Sequence, residues 1–252
     1  MLAEERRILL VEWTRSDGQL DVGNAAEKLD VTVETVRRDL DLLQRRGLLR
    51  RVHGGAIALD RFAHEFTITE REELNPDAKR RISETAAEYI PSEGSIFVDG
   101  GTTTLGLARA LRDRPKLQVV TSNLSLALRI ADSSTKTYVL AGNVRPATLS
   151  TVGVRTVEDL SNQNALVAFL GTNGISRDLS FTAYDHDEAA VKRQMMSNSV
   201  ETIVLADNGK FGATYPATFG RAEDFDRLVT DVDTHSSYAD DLSQRGVEVV
   251  LA

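Results

Sequence analysis

Between residues 95 and 251 the chain alternates seven short apolar runs with helical stretches, and this rhythm restricts its fold more than any other feature. The runs are Ser95–Val98, Leu117–Thr121, Thr137–Leu140, Leu166–Leu170, Thr202–Leu205, Arg227–Thr230 and Val247–Leu251. Amphipathic or Ala-rich segments lie between them, among them Leu105–Leu111, Leu124–Ala131, Glu188–Ser197 and Tyr238–Gln244. Continuous apolar runs suit strands covered on both faces, and helices between strands imply βαβ units. The expectation is an α/β domain with a mostly parallel sheet over residues 77–252.

The first 58 residues have a different rhythm. A helix is expected over Glu4–Arg15, ending at Ser16-Asp17-Gly18. A second helix carries Val22, Ala25, Ala26 and Leu29 at the i, i+3, i+4, i+7 spacing of one buried stripe. After the short turn Asp30-Val31, Thr32 reads as the N-cap of a third helix, with Glu34 in its first turn. At about 100° per residue, Val33, Val36, Leu40 and Leu43 cluster on one face of that helix, and Arg38 points away from it. Two short helices across a tight turn make a helix-turn-helix unit. Gly47 suits a C-cap, and Leu48–Val52 followed by Gly54-Gly55 suits the small hairpin of a wing. Residues from about 58 to 76, charged and ending in Asn75-Pro76, read as a connecting segment.

Charge sharpens this division. The chain has 252 residues and a formal net charge of −8, which by itself argues against nucleic acid. Residues 1–58, however, hold ten basic and ten acidic side chains, and from Glu34 to His53 six Arg face three acidic residues. The third helix and the wing are therefore locally basic. An outward Arg near the start of such a helix reaches a guanine edge or a phosphate in the major groove. The expected DNA-contacting residues are Thr32, Glu34, Thr35, Arg37, Arg38, Arg45, Arg51 and His53.

In the larger domain, polar and Gly-rich loops follow successive strand runs. They are Asp99-Gly100-Gly101-Thr102-Thr103, Thr121-Ser122-Asn123, Ala141–Arg145, Gly171–Gly174 and Asp207–Gly212. Ligands of open α/β sheets bind beyond the carboxyl ends of strands. Glycines let the backbone approach a ligand, and N–H groups of a turn cradle an anion. The loops lack the GxGxxG and P-loop spacings, so a dinucleotide or nucleoside triphosphate is not indicated. A small, anionic, polyhydroxylated ligand is. Its candidate contacts are Asp99, Gly100, Gly101, Thr102, Thr103, Thr121, Asn123, Arg145, Gly171, Asn173, Asp185, Asp207 and Lys210. Arg145 and Lys210 supply positive charge, and the carboxylates accept from hydroxyls or orient Lys210.

Two stretches carry a resemblance. Arg37-Arg38-Asp39-Leu40 with Leu43, Gly47, Leu49, Arg51 and His53-Gly54-Gly55-Ala56 resembles the N-terminal signature of the DeoR family of bacterial transcriptional regulators. The loops at 99–103, 121–123 and 169–171, with Glu188–Arg193, Asp207 and Lys210–Gly212, resemble that family's sensor domain. Asn208-Gly209 and Ala141 depart from its pattern. The resemblance implies a winged helix-turn-helix over 1–58, a linker over 59–76, and over 77–252 a sensor domain similar in fold to ribose-5-phosphate isomerase. It implies a repressor of sugar-metabolism genes whose grip on operator DNA is set by a phosphorylated sugar.

Other classes stay in view. A sugar-phosphate isomerase or deaminase with an accessory DNA-binding domain is the alternative, since Asp185, Glu188 and Lys210 are chemically able to move protons. A protein-interaction module is a third. With no cysteine, disulfides, thiolate metal sites and a cysteine nucleophile are excluded. The clustered triplet Asp185-His186-Asp187 has side chains that diverge, so no metal is expected, and neither a cofactor nor catalytic residues are assigned. No apolar stretch approaches the ~20 residues of a membrane span, and a cytoplasmic homo-oligomer, dimer or higher, is expected.

Overall fold

The seven apolar runs become seven strands of one parallel sheet in the computed structural model, which describes residues 3–45, 48–57, 65–231 and 237–252. The chain divides into two units. The first comprises residues 1–64 and 72–75, the second residues 65–71 and 76–252.

The first unit contains helix α1 (Ala3–Asp17), strand β1 (Gln19–Asp21), helices α2 (Val22–Leu29) and α3 (Val33–Arg45), and strands β2 (Arg50–Val52) and β3 (Gly55–Ile57). Asp21 caps α2 by accepting from the Asn24 amide at 2.9 Å. Asp30 closes α2 in the left-handed region, φ 51°, which makes the tight turn between the helices. The expected stripe Val22, Ala25, Ala26 and Leu29 is buried, together with Leu10, Val36, Leu40, Leu43, Leu49 and Ala56. Each such Leu or Val contributes about 1.5–3 kcal/mol by leaving water. Val33, expected on the same face, is 40% exposed, because it stands in the first turn ahead of the packed rows. The expected wing forms: β2 and β3 pair antiparallel, and β1 adds to β3 as a third strand. Gly47, the expected C-cap, lies outside the described residues.

The segment expected to be a linker carries structure. Residues 65–67 are extended, helix α4 runs Ile68–Glu73, and helix α5 (Pro76–Ala86) begins inside it with Pro76 at the first helical position. Residues 59–64 lie outside the described residues.

The second unit then adds β4 (Gly94–Val98), α6 (Thr102–Leu105), α7 (Ala108–Leu111), β5 (Leu117–Thr121), α8 (Leu124–Ile130), β6 (Lys136–Val139), β7 (Asn143–Arg145), β8 (Ser150–Val152), α9 (Val154–Ser161) and β9 (Ala165–Gly171). Next come β10 (Gly174–Ile175), β11 (Ser180–Ala183), α10 (His186–Ser197), β12 (Ser199–Leu205), β13 (Ala217–Arg221), β14 (Arg227–Thr230), α11 (Ser237–Gln244) and β15 (Glu248–Leu251). The main sheet has the order β15-β14-β12-β9-β4-β5-β6. Alternate residues of each strand bury on opposite faces. Ile96, Val98, Val167, Phe169, Ile203 and Leu205 enter one apolar cluster. Phe97, Ala168, Leu170 and Val204 enter the other. Both faces being covered explains why the strands read as continuous apolar runs.

Two elements had no counterpart in the apolar rhythm. Strands β10, β11 and β13 form a separate antiparallel sheet, and β7 pairs with β8 in a hairpin. The strand order reverses between β4 and β9. In an open α/β sheet the carboxyl ends of the two strands at such a reversal are the usual ligand position.

Candidate DNA-reading face and anion site

Two constellations of charge emerge, one in each unit. On α3, Thr32 caps the helix: its hydroxyl accepts from the Thr35 amide at 3.2 Å and lies 2.9 Å from the Thr35 hydroxyl. Arg38 is 80% exposed, and Arg37 and Glu34 are also exposed. Glu34 stands 3.6 Å from the Arg38 Nε and 3.9 Å from an Arg37 Nη, the i,i+4 and i,i+3 spacings of a surface pair. Such pairs are worth little in water, so both guanidinium groups remain available to a partner. Arg45 and His53 are exposed as well. Arg51 differs: its guanidinium pairs with Asp41, and its amide donates to Gln44 at 2.7 Å, which ties the wing to α3.

Asp39, next in line after the two arginines, turns inward. It accepts from Arg6 Nε at 2.6 Å and Arg7 Nε at 2.8 Å, and is almost fully buried. Three residues after Val36 and four before Leu43, it falls on the packed side of α3. The sequence held that spacing, but an Arg-Arg-Asp triplet reads as surface charge. Asp39 therefore pins α1 to α3 and sets the angle at which Arg37 and Arg38 project.

In the second unit the carboxyl ends of β5, β4, β9 and β12 lie side by side, with Val98 paired to Thr121 and to Phe169, and Leu205 paired to Gly171. Asp99 follows β4. Its carboxylate accepts from the Gly171 amide at 3.0 Å and from Lys192, whose ammonium also donates to the Gly171 carbonyl at 2.9 Å. Asp99 and Lys192 are both buried. Gly100 packs against β8, where an added Cβ would stand 2.1 Å from the Ser150 hydroxyl oxygen. Gly101, at φ 142°, adopts a backbone that L side chains rarely take, and it precedes α6. Thr103 is buried and Thr102 half-buried at the start of that helix.

Several expected contact residues spend their side chains on the loops themselves. Thr121 donates to the Val98 carbonyl at 2.6 Å, and Asn123 caps α8 by accepting from Leu126 at 3.0 Å. Asn173 accepts from the Tyr184 amide at 3.3 Å. Asp185 caps α10, accepting from the Asp187 and Glu188 amides at 3.0 Å each. Asp207 and Lys210 pair at 3.9 Å in the loop after β12.

Arg145, at the end of β7, is 14% exposed and faces three carboxylates. Glu65 takes both terminal nitrogens of its guanidinium, one at 2.7 Å. Glu188 lies 3.6 Å away and Asp185 3.7 Å away. Arg71 donates to the same Glu65 carboxylate at 2.8 Å. Burial works to lower the Arg145 pKa, but Glu65, Glu188 and Asp185 hold it above its ordinary value. Burial raises the Glu188 pKa, against the opposing pull of Lys192, Arg145 and Arg71. Four of these groups were not among the expected contacts: Glu65, Arg71, Glu188 and Lys192. Glu188 and Lys192 have the i,i+4 spacing of a solvated helix pair, so their burial left no mark in the pattern. Among the described residues, no group of three or more His, Asp or Glu could hold a metal ion, and no helix is long and apolar enough to cross a membrane.

Known proteins match both units. The family model of the DeoR-like helix-turn-helix domain matches residues 6–62, and that of the DeoR C-terminal sensor domain matches residues 74–232. A glycerol-3-phosphate regulon repressor of Haemophilus influenzae is 33% identical over 91% of this chain and 88% of its own length. The glycerol-3-phosphate regulon repressor of Escherichia coli is 29% identical over the full length of both. An HTH-type transcriptional regulator of Haloferax volcanii is 29% identical over 99% of this chain and 98% of its own. Among solved structures, a ribose-5-phosphate isomerase of Methanocaldococcus jannaschii aligns over 54% of this chain and 55% of its own, with a TM-score of 0.41 and 15% identity.

Proposed function

The chain belongs to the DeoR family of transcriptional regulators, a family of regulators rather than enzymes, and from that premise we propose that it is a repressor released from its operator by a phosphorylated sugar or polyol. The observation that carries the effector half is the buried charge at the carboxyl ends of β4 and β9. Lys192, Asp99 and the Gly171 backbone are fixed there, with Arg145, Asp185 and Glu188 forming a second charged set in the same unit. Backbone amides at Gly100, Gly101 and Thr102 suit an anion, and the carboxylates of Asp99, Asp185 and Asp207 suit sugar hydroxyls. Two of the relatives are named for the glycerol-3-phosphate regulon, which supports a phosphorylated small polyol as the class.

In the DNA half, Arg38 and Arg37 read base edges or phosphates from the major groove, with Thr32, Thr35 and Glu34 beside them and Arg45 and His53 on the flanks. Operator binding of this kind needs two such helices about 34–36 Å apart, so the active species is a dimer or a multiple of one. Ligand shifts the population toward an arrangement whose helices no longer match the half-sites. No separate cofactor takes part.

The test is operator affinity at one stated salt concentration, using DNA selected from a random library by the full-length chain. Triose, glycerol, pentose and hexose phosphates are then added in turn. A weakening of tenfold or more, about 1.4 kcal/mol, by one phosphate ester and not by its free sugar is the expected result. Affinity that stays constant across the whole panel overturns the effector half and leaves the DNA half standing.

A further inference from the structure

Arg145 is saturated from within the protein. Its two terminal nitrogens form a fork against both oxygens of Glu65, the geometry in which a guanidinium also takes two phosphate oxygens. Glu65 comes from neither the sheet nor its helices. It lies in the extended residues 65–67 that precede α4, the stretch through which the chain enters the second unit. Arg71, in the helix just beyond, holds the same carboxylate at 2.8 Å and the Phe66 carbonyl at 2.9 Å.

Resting on the effector reading above, we propose that Glu65 is an internal stand-in for the ligand's anionic group, and that ligand binding expels it from Arg145 and so frees residues 65–71. The charge count favours exclusion of one by the other. The cations of the linked set are Arg71, Arg145 and Lys192. The carboxylates are Glu65, Asp185, Glu188 and Asp99. With all of these groups ionised and Glu65 in place the set carries one negative charge in excess, and a second anion is repelled. With Glu65 gone it is balanced, and both Arg145 and Arg71 regain free donors for a phosphate.

The freed stretch has a route to the DNA-reading unit along the chain. Residues 72–75, which include the end of α4, belong to the first unit. There the Asn75 amide donates to the Arg45 carbonyl at 3.0 Å, at the last residue of α3. Glu65 and Asn75 thus anchor two ends of one eleven-residue stretch. Losing one anchor changes the tether on the other end.

The experiment uses the full-length chain as wild type, Glu65→Gln and Glu65→Asp. Binding of inorganic phosphate and of triose, pentose and hexose phosphates is measured by calorimetry. Tryptic cleavage after Arg71 is followed by mass spectrometry with and without each ligand. Glu65→Gln is expected to bind the responsive ester about tenfold tighter, since the competent state no longer has to be opened. It is also expected to be cut after Arg71 without ligand, whereas wild type is cut there only with ligand. Glu65→Asp, which keeps the charge but shortens the reach, should fall between the two and guards against misfolding of the Gln variant. If an ester binds wild type but Glu65→Gln leaves both its affinity and the cleavage unchanged, the exchange is wrong and the effector reading survives. If nothing binds any of the three proteins, the effector reading fails and this proposal fails with it.

Discussion

Arg38 and Arg145 carry the same guanidinium into opposite surroundings. Arg38 stands in water, beside one exposed carboxylate at 3.6 Å. Arg145 is nearly buried among three. A charge left in water costs nothing to keep and is available to a large, highly charged partner such as DNA. A charge taken into the protein must be matched, and its partners then decide which ligand can replace them. On the proposed reading the two units divide one chemistry: an open cationic face would contact phosphates by addition, and a closed one by exchange.

The largest effect that separates the two is on stability. Lys192→Met leaves the buried Asp99 carboxylate without its cation, and breaking such a pair costs about 3–5 kcal/mol. Denaturant titration of the second unit should show that loss. Arg38→Ala should behave in the reverse manner. Its stability should stay within about 0.5 kcal/mol of wild type, while operator affinity drops by about 1–3 kcal/mol if it reads a base. Equal loss on operator and random DNA would mean that Arg38 touches phosphate only. Thr32→Ala removes the α3 cap and should lower the stability of the first unit by about 1 kcal/mol, measured by thermal melting.

The smallest effect is a slope. Burial raises the Glu188 pKa in the folded chain, so the native state holds that proton more tightly than the unfolded one. Stability from this group is fully present below the ordinary glutamate value of about 4.3 and is lost as pH rises through the raised one. Glu188→Gln cannot titrate. Its stability relative to wild type should therefore grow as pH rises above about 4.3, and parallel denaturation curves would contradict a buried, titrating Glu188.

Legibility in the sequence differs between the two regions. The seven strands, the packed stripe of α2 and the outward Arg38 are visible in period and spacing, because each follows from a pattern that runs over many residues. The wing is visible in its paired glycines. The hairpin β7–β8 and the sheet of β10, β11 and β13 are not, since strands of two to five residues leave no period to count. The charged interior is the least legible. Glu188 and Lys192 sit at a spacing that normally marks a solvated helix face, and only the fold shows that water is absent there; Asp39 has the spacing of the packed side of α3, but its type and its Arg neighbours read as surface charge. Glu65 is hidden for another reason: its partner Arg145 is eighty residues away in sequence.

The division itself is tested most directly by one titration of operator binding against a phosphate ester, run on wild type, Arg38→Ala and Arg145→Lys at the same salt. Arg145→Lys keeps the charge and loses the fork. The expected result is that Arg38→Ala binds operator weakly yet still binds the ester with wild-type affinity, while Arg145→Lys, whose ammonium can still pair with Glu65, retains operator binding and is released only at much higher ester concentration. If Arg145→Lys lets go of the operator at the wild-type ester concentration, or if Arg38→Ala loses the ester, the two cationic sites do not divide the work as their surroundings indicate.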